Sequence, residues 1–355
     1  MIPINKPQID ENEREEILKV LDEGILTSAS FSGGKRVQDF ERLLANFLHV
    51  KHAIAVNSGT AALHSSILAA GIKEGDEILI PSFTFVATAN SVACTGAKPV
   101  FVDIEKDTYT INPQSLKNKV SKKTRAIIPV HLYGHPAKMD EILDFAREYS
   151  LLVIEDACQS LGSSYDGKQT GSLGEMGCFS MYASKVLTSG EGGAITTNSD
   201  EFAEKLRMIR NHGMVEGYDT RILGFNMRLP EISAAIAKTQ MKKLESMLYK
   251  RTTNAKKLQE LLRNKIDNHE IVLPPVAFNN YRNRVKKLLN ENGIGATIYY
   301  DPPVHLTPYY SKFHNGELKI TEWASRSVLS LPVHPSITEN DINFMVSKVG
   351  EAIKS

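Results

Sequence analysis

Five short apolar runs, each followed by a longer stretch of mixed character, dominate the first half of the chain and restrict the folds open to it. They are Ala53-Ile54-Ala55-Val56, Glu77-Ile78-Leu79-Ile80, Pro99-Val100-Phe101-Val102, Ala126-Ile127-Ile128-Pro129-Val130 and Leu152-Val153-Ile154. Runs this short, β-branched and apolar on both faces, predict strands of a covered, mostly parallel sheet. Each is expected to be a central strand. Between them Thr60 to Ala70, Thr88 to Cys94 and Met139 to Tyr149 predict helices, the last with Ile142, Leu143, Phe145 and Ala146 at helical spacing. The alternation leads to an α/β fold, a mostly parallel central sheet between helices.

Ligands of such sheets bind beyond the carboxyl ends of the strands. Polar clusters fall there: Asn57-Ser58-Gly59-Thr60, Pro81-Ser82-Phe83-Thr84-Phe85, His131-Leu132-Tyr133-Gly134-His135 and Glu155-Asp156-Ala157-Cys158-Gln159. After Pro230, residues Ile232, Ala235, Ile236, Thr239, Met241, Leu244 and Leu248 lie on or near one stripe and predict a bent helix reaching Leu262. The remainder has Val272-Leu273-Pro274-Pro275, a helix from Tyr281 to Asn290, the segment Ala296 to Tyr300 and a closing helix from Glu339 to Ile353. It reads as a smaller α/β lobe. A chain of 355 residues exceeds what one core normally serves. A large domain over 1–245, N-terminal segment included, and a small domain over 246–355 are expected.

Charge removes one class of function. Lys plus Arg number 42 against 41 Asp plus Glu, so a polyanion-binding surface, and with it a nucleic-acid partner, is not expected. Cys94, Cys158 and Cys178 form no Cys-x-x-Cys clip and lie in apolar settings, which predicts buried reduced thiols. Met1 to Pro7 lacks a basic region followed by an apolar run, and no later apolar run of about 18 residues occurs, so a cytoplasmic protein without a membrane span is expected. His131, His135, His212 and His305 have no metal-ligand spacing, and no metal is called for.

Four positions carry chemistry. Ser58-Gly59-Thr60 follows a strand and opens a helix, where free N–H groups suit a phosphate; a plain helix cap is the alternative. Asp156 ends an apolar strand, and a carboxylate there needs a cation or a donor to offset desolvation. That donor is the protonated ring nitrogen of a pyridine cofactor, or else Asp156 caps the next helix. Lys185 follows a predicted strand from Gly177 to Met181 and precedes Gly190-Glu191-Gly192-Gly193 and the strand Ala194-Ile195-Thr196. Glycines there let backbone approach a ligand or a second chain closely, and a lysine held in such a site can attack an aldehyde. Phe85 offers core packing or a flat face for a ring.

Taken together, the motifs resemble the nucleotide-sugar aminotransferases of the DegT/StrS type, pyridoxal-phosphate enzymes with the fold-type I architecture. The likeness runs from about Ile2 through Leu273 and again from Leu289 to the end. It is carried by Asn57-Ser58-Gly59-Thr60-Ala61-Ala62-Leu63-His64, Pro81 to Ala89, Pro129-Val130-His131-Leu132-Tyr133-Gly134, Ile154-Glu155-Asp156-Ala157-Cys158-Gln159, the Lys185 segment and Leu223-Gly224-Phe225-Asn226-Met227-Arg228.

The resemblance implies that Lys185 is the Schiff-base lysine, that Asp156 meets the pyridine nitrogen and that Phe85 stacks on the ring. Gln159 would lie near the phenolic oxygen. Gly59, Thr60, Ala61 and Ser180 would hold the cofactor at its phosphate end, with Asn226 reaching it from the neighbouring subunit of a homodimer. Glutamate is the implied donor, a keto group on a nucleotide-linked sugar the implied acceptor, and His305 in Asp301-Pro302-Pro303-Val304-His305-Leu306 a candidate substrate contact. Two other readings stand beside this one: a related sugar dehydratase, which has histidine in place of the lysine, and a cofactor-bound regulatory protein. The chain departs from the family between Pro275 and Tyr281, where Val276-Ala277-Phe278-Asn279-Asn280 is too short for a strand that relatives carry. A shortened small lobe with impaired turnover is therefore expected.

Overall fold

Apolar β-branched runs become strands here because helices cover both of their faces. The computed structural model describes residues 1–263, 276–278, 281–314 and 316–354. Strands β1 (His52–Val56), β2 (Glu77–Pro81), β3 (Lys98–Val102), β4 (Thr124–Ile127) and β5 (Leu152–Asp156) are followed by a small hairpin, β6 (Ser164–Tyr165) and β7 (Lys168–Gln169), and by β8 (Met176–Ser180) and β9 (Gly193–Thr197). The main sheet has seven strands in the order β1-β9-β8-β5-β4-β2-β3. All neighbours from β8 through β5, β4 and β2 to β3 pair in parallel, and β9 runs antiparallel to both β8 and β1.

One expectation is corrected: β1 and β3 are edges, not central strands. An apolar pattern on both faces reports cover by helices, not the number of paired neighbours. In β1, Ala53 and Ala55 pack with Val37, Phe40 and Leu44 of the helix Lys35–Leu48, whereas Ile54 and Val56 join Leu206 and Ile209 of the helix Asp200–Arg210 in the opposite core.

The predicted helices form at Gly59–Ala69, Ala87–Ala93 and Met139–Tyr149. The bent helix after Pro230 is two helices, Glu231–Met241 and Leu244–Arg263. Helices Arg282–Glu291 and Glu339–Lys354 follow.

A separate core gathers Leu258, Leu262, Val285, Leu289, Ile342, Met345 and Val349, and Ile2 from the far end of the chain sits within it. Ile2 is held there by two backbone hydrogen bonds, its N–H to the Gly293 carbonyl at 2.7 Å and its carbonyl to the Gly295 N–H at 2.7 Å. The expected gap before Tyr281 falls partly outside the described residues. Within them, β10 (Val276–Ala277) pairs antiparallel with β11 (Val328–Leu329), and the Phe278 N–H extends the ladder to the Ser327 carbonyl at 2.9 Å.

The thiols are free, but only Cys178 is buried; Cys158 is partly buried and Cys94, in the surface C-cap of the helix Ala87–Ala93, is exposed. No described helix is long and apolar enough to cross a membrane.

Candidate active site

The carboxyl ends of β1, β5 and β8 and the start of antiparallel β9 meet at one edge of the sheet. Beyond β1, Ser58 caps the helix Gly59–Ala69, its hydroxyl accepting from the Ala61 N–H at 3.0 Å. The N–H groups of Gly59 and Thr60 have no intrahelical acceptor, as at any helix start. The Ala61 N–H, by contrast, is already engaged by the cap. A Cβ at Gly59 would stand 2.8 Å from Ser180 Cβ and 3.0 Å from Cys158 Sγ, so glycine lets the helix start lie directly on β8. Gly193 serves the same junction from the other side, where a Cβ would come within 2.3 Å of the Ser58 carbonyl oxygen. Of the glycines after Lys185, Gly193 therefore allows a close approach within the chain itself.

Asp156 closes β5 with 5% exposure. Its carboxylate accepts from the Thr88 hydroxyl at 2.8 Å and from the Cys158 N–H at 3.2 Å. A carboxylate offers about four acceptor positions, so this one keeps capacity for a further donor. Three residues on, Gln159 is clamped at both ends of its amide: its oxygen accepts from the Tyr133 N–H at 3.0 Å and its nitrogen donates to the Tyr300 hydroxyl at 2.9 Å. Tyr133 holds a left-handed backbone with φ of 56° and donates its own hydroxyl to the Tyr299 carbonyl at 2.6 Å. Burial pushes the Tyr300 phenol up, and the Asp156 charge adds to that.

Lys185 is half-buried in the turn after β8, its N–H bonded to the Tyr182 carbonyl at 2.9 Å. Cys158 reveals what surrounds it. Burial pushes this thiol well up, the negative charge of Asp156 pushes the same way and the positive charge of Lys185 opposes both. Thiol, carboxylate and amine therefore share one electrostatic neighbourhood. Phe85 is 56% exposed, an unusual setting for an aromatic at a strand end, with its ring 6.2 Å from that of Tyr300. The backbone of Asn226 runs beside the end of β1, its carbonyl accepting from the Asn57 amide at 3.4 Å, while the residue itself is exposed.

His305 stands apart from this cluster. It is fully buried, with Nδ1 2.6 Å from the Ser82 hydroxyl and its backbone N–H donating to the same oxygen at 2.9 Å. Burial pulls its pKa down, and nearby His314 adds to this. That geometry fastens the segment after Pro303 to the end of β2.

Three residues of the site escape a reading of the sequence. Thr88 lies one helical turn beyond Phe85, a spacing that places it toward the strand ends, but nothing local links it to Asp156. Tyr300 reaches Gln159 across 141 positions of sequence. Asn5 joins the site through its side-chain amide, which donates to the Ala183 carbonyl at 3.3 Å.

Residues 7–350 match the DegT/DnrJ/EryC1/StrS aminotransferase family. The chain belongs to that family. Among its relatives, a protein of Geobacillus stearothermophilus called a pleiotropic regulatory protein is 38% identical over 98% of both chains. The GDP-perosamine synthase of Caulobacter vibrioides is 37% identical over 99% of this chain and 98% of its own. The ntda protein of Bacillus subtilis, solved with bound cofactor PMP, superposes with a TM-score of 0.87 at 32% identity, over 98% of this chain and 83% of its own. The fold is thus that of the family's aminotransferases, and the α/β architecture expected from the apolar runs stands.

Proposed function

We propose that the protein is a pyridoxal-phosphate-dependent aminotransferase that moves an amino group from glutamate to a keto group on a nucleotide-linked sugar. The observation that carries this is the meeting of Lys185, buried Asp156 and the glycine-lined helix start at Gly59 on one edge of the sheet. These residues fit the cofactor. Asp156 has an acceptor position to spare for a protonated ring nitrogen, and the Gly59–Ser180 contact leaves N–H groups of a helix start facing the strand ends. The cofactor, when bound, supplies an electron sink for the carbon that loses its proton.

The chain's own residues do the rest in this reading. Lys185 would hold the cofactor through its amine, and the same amine, when free, would be the base that moves a proton at the reacting carbon. Asp156, oriented by Thr88 and the Cys158 N–H, would accept from the protonated ring nitrogen. Gln159, clamped by Tyr133 and Tyr300, is positioned for the ring's oxygen, and Phe85 for its face. Gly59, Thr60 and Ser180 take the phosphate.

Asn226 completes the phosphate site from a second copy of the chain. The exposed apolar residues Tyr182, Phe85, Leu223 and Phe225 around the site support such a homodimer, since large apolar surface left in water marks an interface. The cofactor lobe then spans 1–245 and the small lobe 246–355, in a cytoplasmic enzyme.

The test is spectroscopic. Cofactor-loaded protein is expected to show a near-visible absorbance band that shifts on adding glutamate, and Lys185→Ala to lose the shift together with turnover, by at least about 1,000-fold. A band and turnover indifferent to Lys185→Ala would remove the reading. Full turnover on a keto sugar would in addition show that the expected shortening before Tyr281 costs the enzyme nothing.

A further inference from the structure

Lys185 ends a β-turn whose middle is held from the far end of the chain. Its N–H closes the turn on the Tyr182 carbonyl at 2.9 Å, with Ala183 and Ser184 as the central residues. The peptide group between the central residues of a β-turn takes no part in the closing bond, and its orientation separates one turn type from another. Here the Ala183 carbonyl accepts from the Asn5 side-chain amide at 3.3 Å. Among the described residues no other hydrogen bond reaches 182–186 from outside residues 176–197.

Asn5 is itself held. Its oxygen accepts from Arg251 Nη2 at 2.7 Å. A guanidinium only donates and a carbonyl only accepts, so these two partners admit one orientation of the amide, oxygen toward Arg251 and nitrogen toward Ala183. Arg251 stands on the helix Leu244–Arg263 between Leu244 and Met247, which pack with Phe40 and Leu44, and Leu258 and Leu262, which pack with Val285 and Leu289. The segment that carries Asn5 is fixed on both sides. Ile2 lies in the core of Leu258 and Leu262, the Pro3 carbonyl accepts from His334 Nε2 at 3.2 Å, and the Gln8 carbonyl accepts from the side chains of Gln240 and Lys243 at 2.7 and 3.0 Å. A side chain anchored this way gives up little further freedom when it holds the turn.

We propose that Asn5 is a positioning residue for Lys185: with its amide aimed by Arg251, it fixes the Ala183–Ser184 peptide and so the direction in which the Lys185 side chain leaves the turn. The inference rests on the aminotransferase reading for what Lys185 then does. Peptide planarity carries the constraint forward, since holding the Ala183 carbonyl also sets the N–H and Cα of Ser184, the neighbour of Lys185. Turning that peptide over would require a positive φ at Ser184, which Ser184 does not adopt and which a side chain disfavours.

Asn5→Asp separates positioning from support of the fold. It keeps an oxygen for Arg251, now charged, and turns the other toward the Ala183 carbonyl, acceptor against acceptor. The experiment measures three quantities on the full chain: hydrogen exchange of residues 181–189 by mass spectrometry, with and without cofactor; the melting temperature; and the rate of the glutamate-driven absorbance shift over a range of glutamate. Asn5→Asp is expected to exchange about tenfold faster in that segment and to lose about tenfold in the limiting rate, with half-saturating glutamate within about twofold of wild type. Its melting temperature should stay within about 2 °C, because the Arg251 contact is kept. Asn5→Ala, which removes both contacts, should show the same faster exchange and rate loss, and covers the case in which Asn5→Asp does not fold.

Unchanged exchange in 181–189 overturns the proposal, as does a full limiting rate in Asn5→Asp, or in Asn5→Ala if only that variant folds. A rate loss in Asn5→Asp that comes with a melting temperature lowered by more than about 8 °C also overturns it, since Asn5 would then support the fold and not the turn. Failure of the aminotransferase reading shows separately, as a wild-type band insensitive to glutamate and to Lys185→Ala, whereas failure of the positioning role leaves that band responsive.

Discussion

The two faces of β5 carry adjacent carboxylates that the fold treats in opposite ways. Successive side chains of a strand point to opposite faces. Val153 and Glu155 therefore face the helix Met139–Tyr149, and Ile154 and Asp156 face the helix Gly59–Ala69. Glu155 is wholly buried and saturated: it accepts from the N–H groups of Gly171, Leu173 and Gly174, each at 2.7 Å, and lies 2.8 Å from His131 Nε2. The other nitrogen of His131 accepts from the Ala137 N–H at 3.1 Å, which makes Nε2 the donor to Glu155. Every lone pair on that side is spent on holding loops together. Asp156 has two donors and room for another. A buried acid with its partners complete serves the fold, and one with capacity left over can take a further donor from a ligand.

This contrast can be broken by three substitutions. Asp156→Asn has the largest expected effect, a fall in kcat/KM of at least about 100-fold with the melting temperature moved by only about 2 °C, because the amide keeps the shape but cannot hold a ring proton. A melting temperature that collapses with the activity would make Asp156 a structural acid like its neighbour. Glu155→Gln should do the reverse. Turning one carboxylate oxygen into a donor sets it against N–H groups already aimed there, so urea unfolding should show a loss of about 3 kcal/mol, with kcat per folded molecule within about threefold of wild type. If activity falls and stability does not, the division between the faces is wrong.

Thr88→Val is the smallest of the three. Removing the hydroxyl leaves Asp156 with one fewer donor, for about a tenfold loss in kcat/KM and a stability change near 1 kcal/mol. A stability loss as large as that of Glu155→Gln would place Thr88 with the structural network.

Much of the large lobe was legible because its signals are local. Short apolar runs report strands, and Met139–Tyr149 reports its helix to the residue, since burial of a stripe is written at a period the chain cannot disguise. Lys185, Asp156 and Gly59 were also legible, each standing at a strand end in a motif of its own. What failed was anything set by pairing across distance. The edge positions of β1 and β3 depend on sheet order, which an apolar pattern does not encode. The exposure of Cys94 depends on which way a helix end faces.

The sequence by itself determined the layered α/β architecture, the family and the strand ends at which the candidate site residues gather, because each of these is carried by residues close together in the chain. Only the tertiary structure decided that Glu155 is saturated while Asp156 is not, that Tyr300 clamps Gln159, and that Asn5 joins Arg251 to the Lys185 turn. Those facts consist of hydrogen bonds between residues far apart in sequence, and no local pattern fixes which distant donor will meet a given buried acceptor.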